Sequence, residues 1–227
     1  MHILAMTWQS ILDQVPSQPV CLEALDFAVK QLSEPILNHS LRVYLIAKWL
    51  AENEGDENLT QPESLRLIFV AALFHDMGTC DLYNGSQRFE VEGADAAKAH
   101  LKAHMISEAD SQKVWVAIAL HTSPGIAERI DPFTRLIRTA VKIDFSTAQQ
   151  EQHKATEIVD TIEAVLPRLD IESVLADSVV RQAKKIPELA EGPFWPDSEK
   201  HPKASWPGIL LKAHLENPGY EGVNPAF

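Results

Sequence analysis

The stretch LRLIFVAAL, residues 65–73, runs on into Phe74, His75, Asp76, Met77 and Gly78, and its reading decides the fold. A run this apolar suits either a strand buried on both faces or a buried helix, and periodicity alone does not separate the two. Its extent does. The pattern reaches back into Glu63-Ser64 and forward into the His-Asp pair, too long for a short buried strand. It is read as a buried helix ending at Gly78, since glycine suits a helix C-terminus. Polar side chains at the end of such a helix are costly unless they find partners or a metal.

Working outward gives further helices. Upstream, Thr7 caps a helix through Trp8, Ile11, Leu12 and Val15, and prolines from Pro16 to Pro19 break it. A second helix covers residues 21–32. Ser33-Glu34-Pro35 opens the next, which carries Ile36, Leu37, Leu41, Val43, Tyr44, Ile46, Trp49 and Leu50. So wide an apolar face predicts a central, buried helix. The polar stretch ENEGDENLTQPES reads as a loop. Downstream, residues 81–88 form a loop and residues 90–104 a helix. Ser107 opens a helix over 112–121, which Ser123-Pro124-Gly125 stops. Residues 132–144, 160–166 and 171–184 give three more. The tail is loop-rich around Pro187 and Pro193-Phe194-Trp195-Pro196, with a short helix at 208–215 packing back on the body.

Composition agrees with an all-α fold. Only 9 of 227 residues are glycine, which disfavours turn-rich β architectures. The expectation is one compact helical bundle over residues 1–227, with a core at about 33–146 and C-terminal helices and a loop-rich extension at 147–227. The net charge of −12 argues against nucleic-acid and membrane-surface partners. A small-molecule substrate remains compatible, even an anionic one, because a local metal outweighs a diffuse field. The two cysteines, Cys21 and Cys80, form neither a disulfide framework nor a CxxC zinc site. With no basic leader and no membrane-length apolar run, a cytoplasmic location is expected. The aromatic tail points to a self-contact and so to a homo-oligomer.

Four polar residues lie in the most apolar segments: His39 in LNHSLRV, His75 and Asp76 in LFHDMG, and Asp144 in AVKIDF. Each alone has a bland reading. A buried His is usually hydrogen-bonded, and an Asp at a helix end is usually a cap. Together they read as a metal site inside a helical bundle. His75 and Asp76 would point about 100° apart on a regular helix, so both reach one metal only at the helix end. A His2Asp2 set suits zinc, iron, manganese, cobalt or nickel.

In order and context these four residues resemble the signature of the HD-domain superfamily, all-helical metal-dependent enzymes that include many phosphohydrolases. A narrower resemblance lies in EPILNHSLRV, LFHDMGTCD, RFEVEGADAA and ALH, with a weaker echo at Leu166 to Arg168 and Trp206. These segments are similar to the cyanamide hydratase branch, whose members add water to the nitrile carbon of cyanamide to give urea. The resemblance implies an HD-type bundle and a single divalent metal, zinc first, held by His39, His75, Asp76 and Asp144. Nucleotide phosphatases of the superfamily often carry a Glu three residues after the HD aspartate. Here that position is Thr79, which is no general base at neutral pH.

Three residues are candidate catalytic groups. His121 ends an apolar helix and could pass a proton to a substrate nitrogen, or simply complement the helix dipole. Glu90 could take a proton from water or orient substrate, or serve as a favourable charge in a first helical turn. Thr79, like Thr122, could hydrogen-bond water or substrate, or act as a cap. Glu92 reads as solvated, and Arg42 as sitting on an outer helix face, leaving Arg88 the other arginine near the motifs. His100 and His104 share a helix face and with His121 offer a second metal position, against which Lys98 and Lys102 suggest an exposed helix. Cys80 reads as an inert thiol. A small pocket lined by Phe74, Phe89 and Trp115 is expected. The leading reading is a metal-dependent hydratase or hydrolase. The alternatives are a phosphohydrolase on nucleotides or other phosphomonoesters and a non-catalytic helical binding protein.

Overall fold

The computed structural model describes residues 7–83, 85–184, 202 and 204–219. Among them the chain forms twelve α-helices and no strand, as the sequence predicts. In order these are α1 (Trp8–Leu12), α2 (Pro19–Gln31), α3 (Glu34–Glu54), α4 (Pro62–Phe74), α5 (Phe89–Ala103), α6 (Glu108–Leu120), α7 (Ala127–Ile130), α8 (Pro132–Phe145), α9 (Thr147–His153), α10 (Thr156–Glu163), α11 (Ile171–Lys184) and α12 (Trp206–Leu215). Prolines in the first turn start α2, α3, α4, α8 and α12, where the missing N–H costs nothing. Side chains of Thr7, Ser107, Asp131, Ser146 and Ser205 accept backbone N–H groups at the starts of α1, α6, α8, α9 and α12.

The apolar run does form the buried helix α4, in which every residue from Leu67 to Phe74 is buried. Burying each large side chain there contributes about 1.5–3 kcal/mol. Beside it, α3 packs on α4, α8, α10 and α11. Every α3 residue from Asn38 to Ala47 is buried, so this stretch has no outer face. Residues from Ile11 on α1 to Leu210 on α12 belong to one hydrophobic core. No helix among the described residues is long and apolar enough to cross a membrane.

The structure departs from the expected boundaries in physical ways. α3 continues to Glu54 and stops at Gly55, which takes the left-handed conformation (φ 69°). α4 already begins at Pro62, so the polar loop shrinks to residues 55–61. α4 ends at Phe74 rather than at Gly78. His75 is its cap, and a 3-10 turn (Met77–Thr79) follows. Gly78 is required for a different reason. A Cβ there would lie 1.9 Å from the Phe89 carbonyl oxygen, and one at Gly93 would lie 2.6 Å from that of Phe74. The turn and α5 therefore touch backbone to backbone. The short helices α7 and α9 were not expected. Pro187 and Pro193-Phe194-Trp195-Pro196, with the predicted self-contact of the tail, lie outside the described residues.

Candidate metal centre

Four elements converge on one point. His39 comes from the second turn of α3, His75 and Asp76 from the end of α4, His121 from the end of α6, and Asp144 from the last turn of α8. All five side chains are buried.

The hydrogen bonds fix which nitrogen of each imidazole carries its proton. His75 Nδ1 lies 2.7 Å from the Ala72 carbonyl and His121 Nδ1 2.7 Å from that of Ile118. A carbonyl only accepts, so both Nδ1 atoms donate. His39 Nδ1 lies 2.7 Å from the Asp144 carboxylate and donates to it. In its neutral form each ring then presents a lone pair on Nε2. His39 Nε2 and His75 Nε2 stand only 3.0 Å apart. Two lone pairs at that distance repel unless a proton or a metal ion lies between them.

Asp76 completes the cluster. Its Oδ2 is 3.2 Å from His75 Nε2 and 3.4 Å from His39 Nε2, and its Oδ1 is 3.6 Å from His121 Nε2. Oδ2 is buried and takes no hydrogen bond, which is costly for a carboxylate oxygen. Burial pushes the Asp76 carboxyl upward, but His75, His121 and His39 outweigh it and hold the group well below the usual range. Burial likewise opposes a charged His75, yet the Asp76 carboxylate prevails and raises its pKa. For His39 burial wins, and its pKa falls despite Asp144. His39, His75 and Asp76 can each offer one ligand atom within 4.8 Å of the others, which suits a divalent metal.

Asp144 is placed differently from the four-ligand expectation. Arg42 Nε donates to its Oδ1 at 2.7 Å and Arg42 Nη2 to its Oδ2 at 2.9 Å, while His39 takes the other lone pair of Oδ2. Asp144 therefore stands behind His39 and orients it, outside the cluster of three. Burial raises its carboxyl, but Arg42 and His39 hold it far below the ordinary value. Arg42 is fully buried, not on an outer face, because α3 has none there. Its Nη1 donates to the Leu166 and Pro167 carbonyls at 3.1 and 3.2 Å. Arg168 donates to the Asp144 carbonyl at 2.6 Å and pairs with Glu163 and Glu172. The faint Leu166 to Arg168 echo in the sequence thus marks the strap that locks this flank.

A cavity of about 460 Å³ opens on the cluster. His39, His75, Asp76, His121 and Thr122 form its polar end, and Val141, Phe145, Leu175, Trp206 and Ile209 its apolar wall. The predicted wall is not this one. Phe74 stacks between Phe27 and His100, and Trp115 donates to Asp95 on the outside. Phe89 is buried behind the wall, edge-on to His121 and Trp206. Thr79 is also away from the cavity, its hydroxyl donating to the Asp76 carbonyl at 2.7 Å. Glu90 is buried one layer back, accepting the Thr122 hydroxyl at 2.5 Å with Arg88 Nε 3.5 Å from its other oxygen. Glu92 is not simply solvated, since it accepts the Gln87 N–H at 3.0 Å and orders the loop. The second metal position does not assemble. His100 bonds the Val20 carbonyl and His104 faces Glu23, both away from His121. Cys80 is half-buried, and burial raises its pKa, as fits an inert thiol.

The HD domain family model matches residues 36–168, more than half of the chain. The match runs past the expected core to include the strap at Leu166 to Arg168. No curated protein matches the chain. The chain belongs to the HD-domain family.

Proposed function

We propose that this HD-domain protein is a metal-dependent hydrolase or hydratase acting on a small organic substrate, with His39, His75 and Asp76 holding one divalent ion, zinc first. The observation that carries the reading is the convergence of His39 Nε2 and His75 Nε2, 3.0 Å apart, beside a buried Asp76 oxygen that makes no hydrogen bond. A divalent ion supplies a Lewis acid and acidifies bound water toward neutral pH. Asp144 and Arg42 hold His39 in the tautomer that presents Nε2. His121, its Nδ1 proton fixed on the Ile118 carbonyl, presents Nε2 at the cavity as the group placed to carry a proton.

The finer reading is cyanamide hydratase-like chemistry on a nitrile or related amide. Water adds its oxygen to the nitrile carbon, and its two hydrogens end on the nitrogen, with His121 relaying a proton. The alternative reading, a phosphomonoesterase, draws on the family's mainly hydrolytic character and on Arg138 in the cavity wall. That arginine is engaged, however, donating to the His121 carbonyl at 2.7 Å with Glu128 3.5 Å away. A panel on metal-loaded protein separates the two. The hydratase reading expects amide or urea from nitriles and cyanamide. Phosphate release from nucleotides, with nitriles untouched, would overturn it.

A further inference from the structure

The polar end of the cavity has a bias that the metal cluster does not explain. A hydroxyl has one proton, and that of Thr122 is given to Glu90 at 2.5 Å. Thr122 is left with acceptor capacity only. His121 is in the same condition, since its Nδ1 proton goes to the Ile118 carbonyl. Asp76 belongs to the metal cluster and Glu172 pairs with Arg168, so neither decides the matter. Against these stands Arg138, a cation that spends one N–H on the His121 carbonyl and whose Nε makes no hydrogen bond. At Thr122, therefore, the cavity asks its ligand for a donor. Glu90 is buried behind Thr122 and accepts its proton, so it sets that polarity without lining the cavity itself.

Size and wall give the second part. Val141, Phe145, Leu175, Trp206 and Ile209 present apolar surface to about 460 Å³. Cavities of about 300–1,000 Å³ take drug-sized ligands, and cyanamide would fill only a small part of this one.

We infer that the cavity takes a molecule with an aromatic or branched aliphatic body and a neutral head that donates N–H hydrogen bonds, and that Thr122, its hydroxyl polarised by Glu90, reads that donor. A primary carboxamide is the simplest such head, as the product of nitrile hydration or the substrate of amide hydrolysis. The inference rests on the proposed function only in placing the reacting carbon next to the metal cluster. Glu90 is a positioning residue that acts through Thr122.

The test is calorimetric titration of the zinc-loaded full chain with benzamide, urea and N,N-dimethylbenzamide. Urea keeps the head without the body, and the dimethyl compound keeps the body without N–H. Benzamide is expected to bind at least about tenfold tighter than either. The preference for benzamide over its dimethyl form is expected to collapse in Thr122→Val, persist in Thr122→Ser and shrink in Glu90→Gln, with zinc content unchanged. If Glu90→Gln does not fold by circular dichroism, the Thr122 pair decides alone. Equal binding of the three compounds, or a preference that survives Thr122→Val, would overturn the inference. Zinc content measured on the same samples tests the metal reading separately, since N–H selectivity can hold in a chain that takes up no zinc.

Discussion

Asp76 and Asp144 are both buried aspartates touching His39, and they are treated in opposite ways. Around Asp144 every demand is met. Arg42 clamps both oxygens, His39 donates to one of them, and Arg168 and the carbonyls of Leu166 and Pro167 lock the guanidinium and the helix end in place. Around Asp76 the demand is left open, with one oxygen lacking a hydrogen bond and three imidazole Nε2 atoms gathered about it. The closed flank is a scaffold, and the open flank gathers three residues that can each offer a metal ligand atom. A buried carboxylate by itself therefore says little. What distinguishes the two is that Asp144 has a fixed arginine while Asp76 has only imidazoles.

The sharpest way to break this comparison is to remove each counter-charge and measure stability by denaturant unfolding. Arg42→Met leaves Asp144 buried without its cation and is expected to cost about 3–5 kcal/mol. Asp76→Asn in metal-free protein is expected to cost less than this, because only the neighbouring imidazoles, and no fixed cation, answer the Asp76 charge. Equal costs would erase the distinction. Next in size is the floor of the open flank. Gly78→Ala drives a Cβ to 1.9 Å from the Phe89 carbonyl oxygen, and a loss of about 3 kcal/mol in the same unfolding assay is expected.

A smaller effect sharpens the assignment of Asp144. If it orients His39 and is no ligand itself, Asp144→Asn weakens metal affinity by about 10–100-fold and keeps the stoichiometry. Competition with a chromophoric chelator reads both, and a lost equivalent of metal would restore the four-ligand arrangement. The smallest effect concerns the interior far from both flanks. Burial pushes the Cys21 thiol up to about 12, with Arg66 only partly opposing it. At pH 8 the group stays protonated, and iodoacetamide is expected to label native Cys21 at least about a thousandfold more slowly than the unfolded chain.

Much of this was legible in the chain. LRLIFVAAL and the wide face of α3 gave the two central helices, because a continuous apolar run has few other uses. His39 and the His75-Asp76 pair stood out as polar groups in apolar surroundings. Arg42 did not, because an arginine on a helix is ordinarily placed at the surface. The absence of a surface there follows only from four neighbours packing on α3 at once. The cavity wall was missed for a related reason, since Trp206 and Ile209 come from the far end of the chain. Thr79 was assigned by motif position and Gly78 as a helix end, while their structural roles, a hydrogen bond to the Asp76 carbonyl and a close backbone contact, arise from a turn the pattern does not encode. The short α7 and α9 carry too little apolar periodicity to announce themselves.

The central claim is that the open flank holds a divalent ion. Elemental analysis of purified, folded wild type, His75→Ala and Asp76→Asn tests it most directly. About one ion per chain in the wild type and none in either variant is the expected result. A wild type that contains no metal and takes none up, or variants that keep the full equivalent, would contradict it.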